Sequence, residues 1–242
     1  MESFHRNHPP DYERIAHVLE TALGVPDRLH QSSPLASCHS GLEVLLATVL
    51  TQATNDRNAL QAWRQLQNSF PDPAQLLKAS PPEVAAIIRP AGLAGQKAAT
   101  ILGALRGIQE RCGALTLEGL KTAPFETAYH FLVGLPGIGP KTAACTMLFG
   151  LEMPAFPVDT HIYRIIRRLG WVDPQTDSAV AQFQLSRAIP IQLLKALHIL
   201  LLNLGRLYCR PVKPHCYGTT SCCPLHAECP AAPVTSASPE TE

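Results

Sequence analysis

The sequence predicts an all-α fold. Three observations carry that expectation. Apolar residues recur at helical spacing nearly throughout, no convincing run of alternating residues is found, and Gly and Pro punctuate the chain at short intervals. Roughly ten short helices would then bury their faces on one another. With 242 residues, 46% apolar and 16% charged, the chain can bury a proper core as one large domain or two small ones.

The first helix is read over DYERIAHVLETAL, where Tyr12, Ile15, Ala16, Leu19, Ala22 and Leu23 make one apolar stripe and Gly24 and Pro26 end it. Ser40 and Glu43 form a capping-box signature ahead of VLLATVL. Asp72 before Pro73 and Ser80 before Pro81 each set a capping side chain ahead of a proline at the first helical position. Further helical stretches run through 56–69, 97–111, 125–134, 140–149, 160–169, 178–188 and 191–208. The tail AAPVTSASPETE, residues 231–242, is small, polar and Pro-rich, the composition of a disordered segment.

The N-terminus has no apolar signal core, and no segment approaches the length of uninterrupted apolar sequence that a membrane span needs. The expectation is an intracellular protein. A reducing compartment makes metal ligation a better explanation than disulfides for clustered cysteines. The net charge of +1 argues neither for nor against a polyanionic partner. Basic residues do cluster between His161 and His215, as Arg164, Arg167, Arg168, Arg187, Lys195, Arg206, Arg210 and Lys213 against Asp173 and Asp177. Charge alone reads this set as a solvated helical face.

LPGIGPKTAA, residues 135–144, joins two helices by a very tight turn. Gly137 and Gly139 permit positive φ there, and Pro140 suits the first turn of the second helix. Exposed backbone N–H groups with a helix dipole behind them form a seat for a phosphate oxygen; a plain helical hairpin is the competing reading. Lys141 at the positive end of that helix is electrostatically awkward, since cations prefer the other end. The same dipole, with partial burial, would favour the neutral amine, which is the nucleophilic form. Asp159, just before THIYRIIRRL, reads most simply as an N-cap, and capping keeps a carboxylate ionised.

LPGIGPKTAACTMLFG followed by PAFPVDTHIYRIIRRLG closely resembles the helix-hairpin-helix, Gly/Pro-rich loop and aspartate signature of the endonuclease III family of DNA base-excision repair glycosylases. The resemblance runs from LEVLLATVLTQATN, residues 42–55, to Cys229. It implies that Lys141 attacks C1′ of the damaged nucleotide, expels the base and forms a Schiff base that allows β-elimination of the 3′ phosphate. Relatives that only cleave the glycosidic bond usually carry another residue at this position, such as serine or tyrosine. It implies that Asp159 is the essential carboxylate, beside developing oxocarbenium charge. His161, in VDTH, is either structural or a phosphate or sugar contact. Gln52 resembles the residue that fills the space left by the extruded nucleotide, with an exposed helix end as the ordinary alternative. Leu93, in AGLAGQKA, matches the apolar wedge that base flipping requires, or else staples a helix start. Leu135, Gly137 and Gly139 would make the DNA-binding hairpin.

The resemblance further implies two helical lobes flanking a DNA-binding cleft. Residues 42–153 would form a helical barrel carrying the hairpin, residues 1–41 with 154–230 the second lobe, and 231–242 the tail. Lys141 and Asp159 would face each other across the cleft, and part of the basic set would meet the duplex.

Five of the eight cysteines fall in CRPVKPHCYGTTSCCPLHAEC, residues 209–229. Four thiolates suit a tetrahedral zinc or a 4Fe–4S cluster, and spacing alone does not decide. The family usually has six, two and five residues between its cluster cysteines. Cys209 and Cys216 keep the first gap and Cys223 and Cys229 the last, whereas the middle gap is six, which makes Cys222 a rival to Cys223. The expected cofactor is a 4Fe–4S cluster on Cys209, Cys216, Cys223 and Cys229. Cys38, Cys112 and Cys145 are expected to be buried packing.

The reading is a bifunctional DNA glycosylase and AP lyase, acting as a monomer on oxidised or otherwise damaged pyrimidines in duplex DNA, or on abasic sites. A monofunctional glycosylase for mismatched or alkylated bases and a non-catalytic DNA-binding module are the rivals. Lys141 counts against the first, and Lys141 with Asp159 against the second.

Overall fold

A computed structural model describes residues 10–217 and 223–231. Twelve α-helices follow one another among them: α1 (Tyr12–Leu23), α2 (Pro26–His30), α3 (Gly41–Thr51), α4 (Asp56–Ser69), α5 (Pro73–Lys78), α6 (Pro81–Ile87), α7 (Ala94–Cys112), α8 (Phe125–Val133), α9 (Pro140–Gly150), α10 (Thr160–Arg168), α11 (Ser178–Ala188) and α12 (Ile191–Leu207). No strand occurs among the described residues, and no helix there is long and apolar enough to cross a membrane. The all-α expectation holds. The chain divides into two units, residues 30–157 and residues 1–29 with 158–242.

In the unit of residues 30–157, α3 is the central helix. Leu42 and every residue from Val44 to Leu50 are buried, so it is apolar all round and packs on all sides, mostly along α9. Buried Thr48 and Thr146 satisfy their hydroxyls on the carbonyls of Val44 and Thr142, at 2.7 and 3.0 Å. The two helices touch where Gly150 meets Gly41: a Cβ on Gly150 would stand 2.8 Å from the Gly41 Cα. A 3₁₀ turn at Pro34–Ser37 packs on α3 and α4 and receives a hydrogen bond from Trp63 Nε1 to Ser37 Oγ at 3.2 Å. These contacts bind residues 34–37 to this unit, whereas the sequence suggests the other lobe.

The caps explain the helix boundaries. Ser80 and Glu83 make a reciprocal capping box. At α3 the Ser40 hydroxyl accepts from Glu43 N–H at 3.2 Å, but the Glu43 carboxylate reaches one residue further back, to His39 N–H at 2.6 Å. Asp72 accepts from Ala74 N–H at 2.8 Å. Helix α7 starts at Ala94, three residues before the expected 97.

In the other unit, α12 carries the core, with Leu194, Leu197, Leu200, Leu201 and Leu204 buried, and α1 and α10 pack against it. Trp171 stands edge-on to Tyr12, with ring centroids 5.2 Å apart. Of the expected tail, residues 232–242 lie outside the described residues.

Candidate functional site

The hairpin joins α8 to α9. Gly137 has φ 74°, and a Cβ there would meet Thr100 Oγ1 on α7 at 2.6 Å, so conformation and space both demand glycine. Gly139 differs from expectation. Its φ of −91° and ψ of 175° are extended backbone that any residue adopts, and a Cβ would meet nothing within 4 Å. Positive φ is therefore needed once in this turn, because Pro140 already starts α9. Leu135 is buried against α7, where Gly107 makes room for it; its side chain anchors the hairpin from behind. Arg111 on α7 closes the end of α8, donating to the carbonyls of Gly134 at 2.8 Å and Phe131 at 3.3 Å.

No side chain caps α9, whose N-cap is the exposed Gly139. The N–H groups of its first turn, with the positive end of the dipole, form an open anion seat. Lys141 lies in that turn, half-buried. The next residue, Thr142, is 3% exposed and accepts a hydrogen bond from Gln52 Nε2 at 3.1 Å. Gln52 is the C-cap of α3. The fold thus brings Gln52 and the lysine turn together across 90 residues of sequence.

Leu93 is the N-cap of α7, in the left-handed conformation (φ 48°, ψ 36°) and 59% exposed. A hydrophobic staple would be covered, so the helix-staple reading fails. An exposed leucine in a strained backbone is presented to solvent by the fold around it. Below it lies Lys97, 2% exposed, which sequence reasoning missed. Its ammonium donates to the carbonyls of Leu50 at 2.9 Å and Ala91 at 2.7 Å, and burial pushes its pKa down. The available signal was a lysine on the apolar stripe of α7, next to Ala98 and one turn before Ile101.

In the unit containing α10, Asp159 is the N-cap, its Oδ1 accepting from Ile162 N–H at 2.8 Å. His161 packs over Gly205 of α12, where a Cβ would stand 2.7 Å from the His161 Cβ. Arg164 donates to His161 Nδ1 at 3.0 Å; a guanidinium has donors only, so Nδ1 is the acceptor. Arg164 also donates to the Cys209 carbonyl at 2.6 and 2.8 Å. Arg168 donates to the Arg210 carbonyl at 2.8 Å and to Cys209 Sγ at 3.2 Å. The solvated-face reading is therefore wrong for these two arginines. They clamp the chain leaving α12, because carbonyls there lack helical partners.

The Cys229 thiol donates to the Arg168 carbonyl at 3.5 Å. Burial pushes the Cys223 thiol up to about 11, against a backbone hydrogen bond from Leu225 that lowers it and with smaller contributions from Cys216, Cys209 and Cys229. Cys216 is buried and Cys209, Cys223 and Cys229 are half-buried, and a set of partly covered thiols of this kind is chemically suited to a group that binds thiolates. Among the described residues, no three metal-binding side chains stand close enough to hold an ion as they are; electrostatic coupling reaches further than a metal–sulfur bond. Cys222 lies outside the described residues. Cys145 is buried as expected, but Cys112 is exposed, because the last turn of α7 emerges from the core. Burial, with Glu43 nearby, pushes half-buried Cys38 up to about 12.

Residues 46–190 match the family described as HhH-GPD superfamily base excision DNA repair protein. A protein of Arabidopsis thaliana, named provisionally as a DNA glycosylase, is 35% identical over 168 residues, 69% of this chain and 57% of its own length. Endonuclease III of Thermotoga maritima is 34% identical over 173 residues, 72% of this chain and 76% of that protein. The chain thus spans little more than half of the plant protein. Two solved structures share the fold. One is a trapped endonuclease III–DNA covalent intermediate, with TM-score 0.69 at 24% identity over 92% of this chain and 97% of that one. The other is a thermostable thymine-DNA glycosylase, with TM-score 0.73 at 17% identity over 91% and 96%. Matched over more than half its length, this chain belongs to the HhH-GPD superfamily of base excision DNA repair proteins, as an endonuclease III-like glycosylase.

Proposed function

We propose that the protein is a bifunctional DNA glycosylase and AP lyase that acts, as an intracellular monomer, on oxidised or otherwise damaged pyrimidines in duplex DNA. The observation that carries the reading is Lys141 in the first turn of α9, behind an uncapped, exposed helix start. The Lys141 amine attacks C1′ and the base departs with the glycosidic electron pair; the nitrogen loses a proton and its lone pair then expels O4′, which takes up a proton, so the sugar ring opens and a Schiff base forms between Lys141 and C1′. Removal of a C2′ proton then breaks the C3′–O bond. Phosphates flanking the lesion bind at the α9 N-terminus. Asp159 supplies a negative charge while positive charge develops on the sugar, and its bond to the Ile162 N–H holds the carboxylate in place. Leu93 wedges into the stack and Gln52 fills the vacated space, at the expense of a few kcal/mol of stacking.

Cys209, Cys216, Cys223 and Cys229 would hold a 4Fe–4S cluster, which would tie the C-terminal loop together by thiolate ligation. The Arabidopsis thaliana protein called DNA glycosylase/AP lyase ROS1 is 31% identical over 164 residues, 61% of this chain and 12% of that protein, and its name joins the two activities proposed here.

The test is borohydride trapping on duplexes carrying an abasic site or one defined oxidised pyrimidine. A covalent adduct is expected with the protein and none with Lys141→Ala. An equal yield in that variant removes Lys141 from the chemistry. Strand cleavage only after alkali would mark a monofunctional glycosylase.

A further inference from the structure

We infer that Lys97 is a positioning residue whose buried ammonium ties the end of α3 to the turn before α7, holding Gln52 and Leu93 at one separation for insertion into the duplex. The inference rests on the reading of Gln52 and Leu93 proposed above.

A lysine in this place is unfavourable on three counts. It is 2% exposed, it sits in the first turn of α7 at the positive end of the helix dipole, and neither ion pair found among the described residues, Arg14–Glu228 or Lys121–Glu118, supplies it with a carboxylate. An apolar side chain of similar length would fill the stripe without burying a charge.

What the lysine holds gives the reason. Its two acceptors are symmetrically placed: the Leu50 carbonyl is two residues before Gln52, and the Ala91 carbonyl two residues before Leu93. Both are main-chain oxygens, so the side chain fixes backbone at the base of each loop. Just beyond each base a non-glycine residue is left-handed: Ala53 has φ 49° after Gln52, and Leu93 has φ 48° after Gly92. Left-handed backbone at non-glycine residues persists only where the surroundings over-determine it. Gln52 is held again by Thr142, whereas Leu93 has no side-chain cap. One ammonium therefore sets the distance between two tips that must enter one DNA site together.

The experiment compares single-turnover excision of one oxidised pyrimidine from a fully paired duplex and from the same strand alone, for the wild-type protein, Lys97→Met, Leu93→Ala, Gln52→Ala and a core variant, Leu105→Ala, that destabilises the same unit. Displacement of inserting groups by about an ångström can slow a reaction on the order of 100-fold. Lys97→Met should lower the duplex-to-single-strand rate ratio at least ~10-fold, while Leu105→Ala leaves the ratio unchanged. Combined with Leu93→Ala, Lys97→Met should add little, because both act on one insertion step. A Lys97→Met ratio equal to wild type, with Leu93→Ala and Gln52→Ala lowering theirs, overturns the inference and leaves the insertion reading intact. Unchanged ratios in Leu93→Ala and Gln52→Ala overturn that reading and the inference with it. Should Lys97→Met not fold, Lys97→Leu, which likewise has no donor for the two carbonyls, is judged by the same ratio.

Discussion

The Gln52 side-chain amide donates to the Thr142 hydroxyl across 3.1 Å, and Thr142 is the residue next to Lys141. The end of the central helix and the start of the hairpin helix are thereby joined by one side-chain bond. Thr142→Val removes the acceptor at nearly constant shape and should cost about 1 kcal/mol in thermal unfolding. Gln52→Ala in that background should cost less than in the wild type, a coupling that a double-mutant cycle measures.

Leu93 should show stability and function opposed. Leu93→Gly relieves the left-handed strain and loses a side chain that is 59% exposed. The unfolding midpoint should rise by the equivalent of up to about 1 kcal/mol, since left-handed strain costs roughly 1–2 kcal/mol and glycine gives part of it back as chain entropy. Excision from paired duplex should fall at the same time. Leu93→Ala keeps the strain and should show only the second effect.

The two hairpin glycines should separate. Gly137→Ala introduces a Cβ at positive φ and 2.6 Å from Thr100 Oγ1, and calorimetry should register a loss of at least ~1 kcal/mol. Gly139→Ala meets nothing within 4 Å, so its unfolding should stay within about 0.5 kcal/mol of wild type. Its duplex affinity should nonetheless drop, because a methyl group then stands before the open helix start.

Asp159→Asn keeps an oxygen able to cap α10 and loses the charge. Stability should change by only a few tenths of a kcal/mol, as Asn and Asp cap almost equally well, while turnover falls at least ~100-fold with duplex binding retained. Near-normal turnover would leave Asp159 with the cap alone.

Iron and sulfide analysis tests the cysteine set. Cys223→Ser should lose bound iron and destabilise the C-terminal loop, and Cys222→Ser should keep it. The reverse would move the third ligand to Cys222, and stoichiometric zinc in a colourless protein would replace the cluster by a four-thiolate metal site.

Helix boundaries were legible because their causes are local. Asp72, Ser80 and Asp159 cap the turns that directly follow them, and apolar spacing needs no knowledge of the partner. Lys141 was legible for a related reason: a cation behind a Gly/Pro turn is anomalous within ten residues of sequence. Lys97 was not: its place on the apolar stripe of α7 marks it as unusual, but what it does depends on the two carbonyls it serves. They belong to residues 47 and 6 positions away.

The sequence by itself determined an all-helical chain, its caps, its tight hairpin and the family signature around Lys141 and Asp159, all of them properties of short-range sterics, hydrogen bonding and periodicity. Only the tertiary structure decided which groups are available. It turned Arg164 and Arg168 inward to unpaired carbonyls, covered Leu135, exposed Leu93 and Cys112, and gave Gly137 the left-handed turn while leaving Gly139 extended. The physical reason is that burial and hydrogen-bond partnership depend on which distant segments pack together, and no local pattern records the partner.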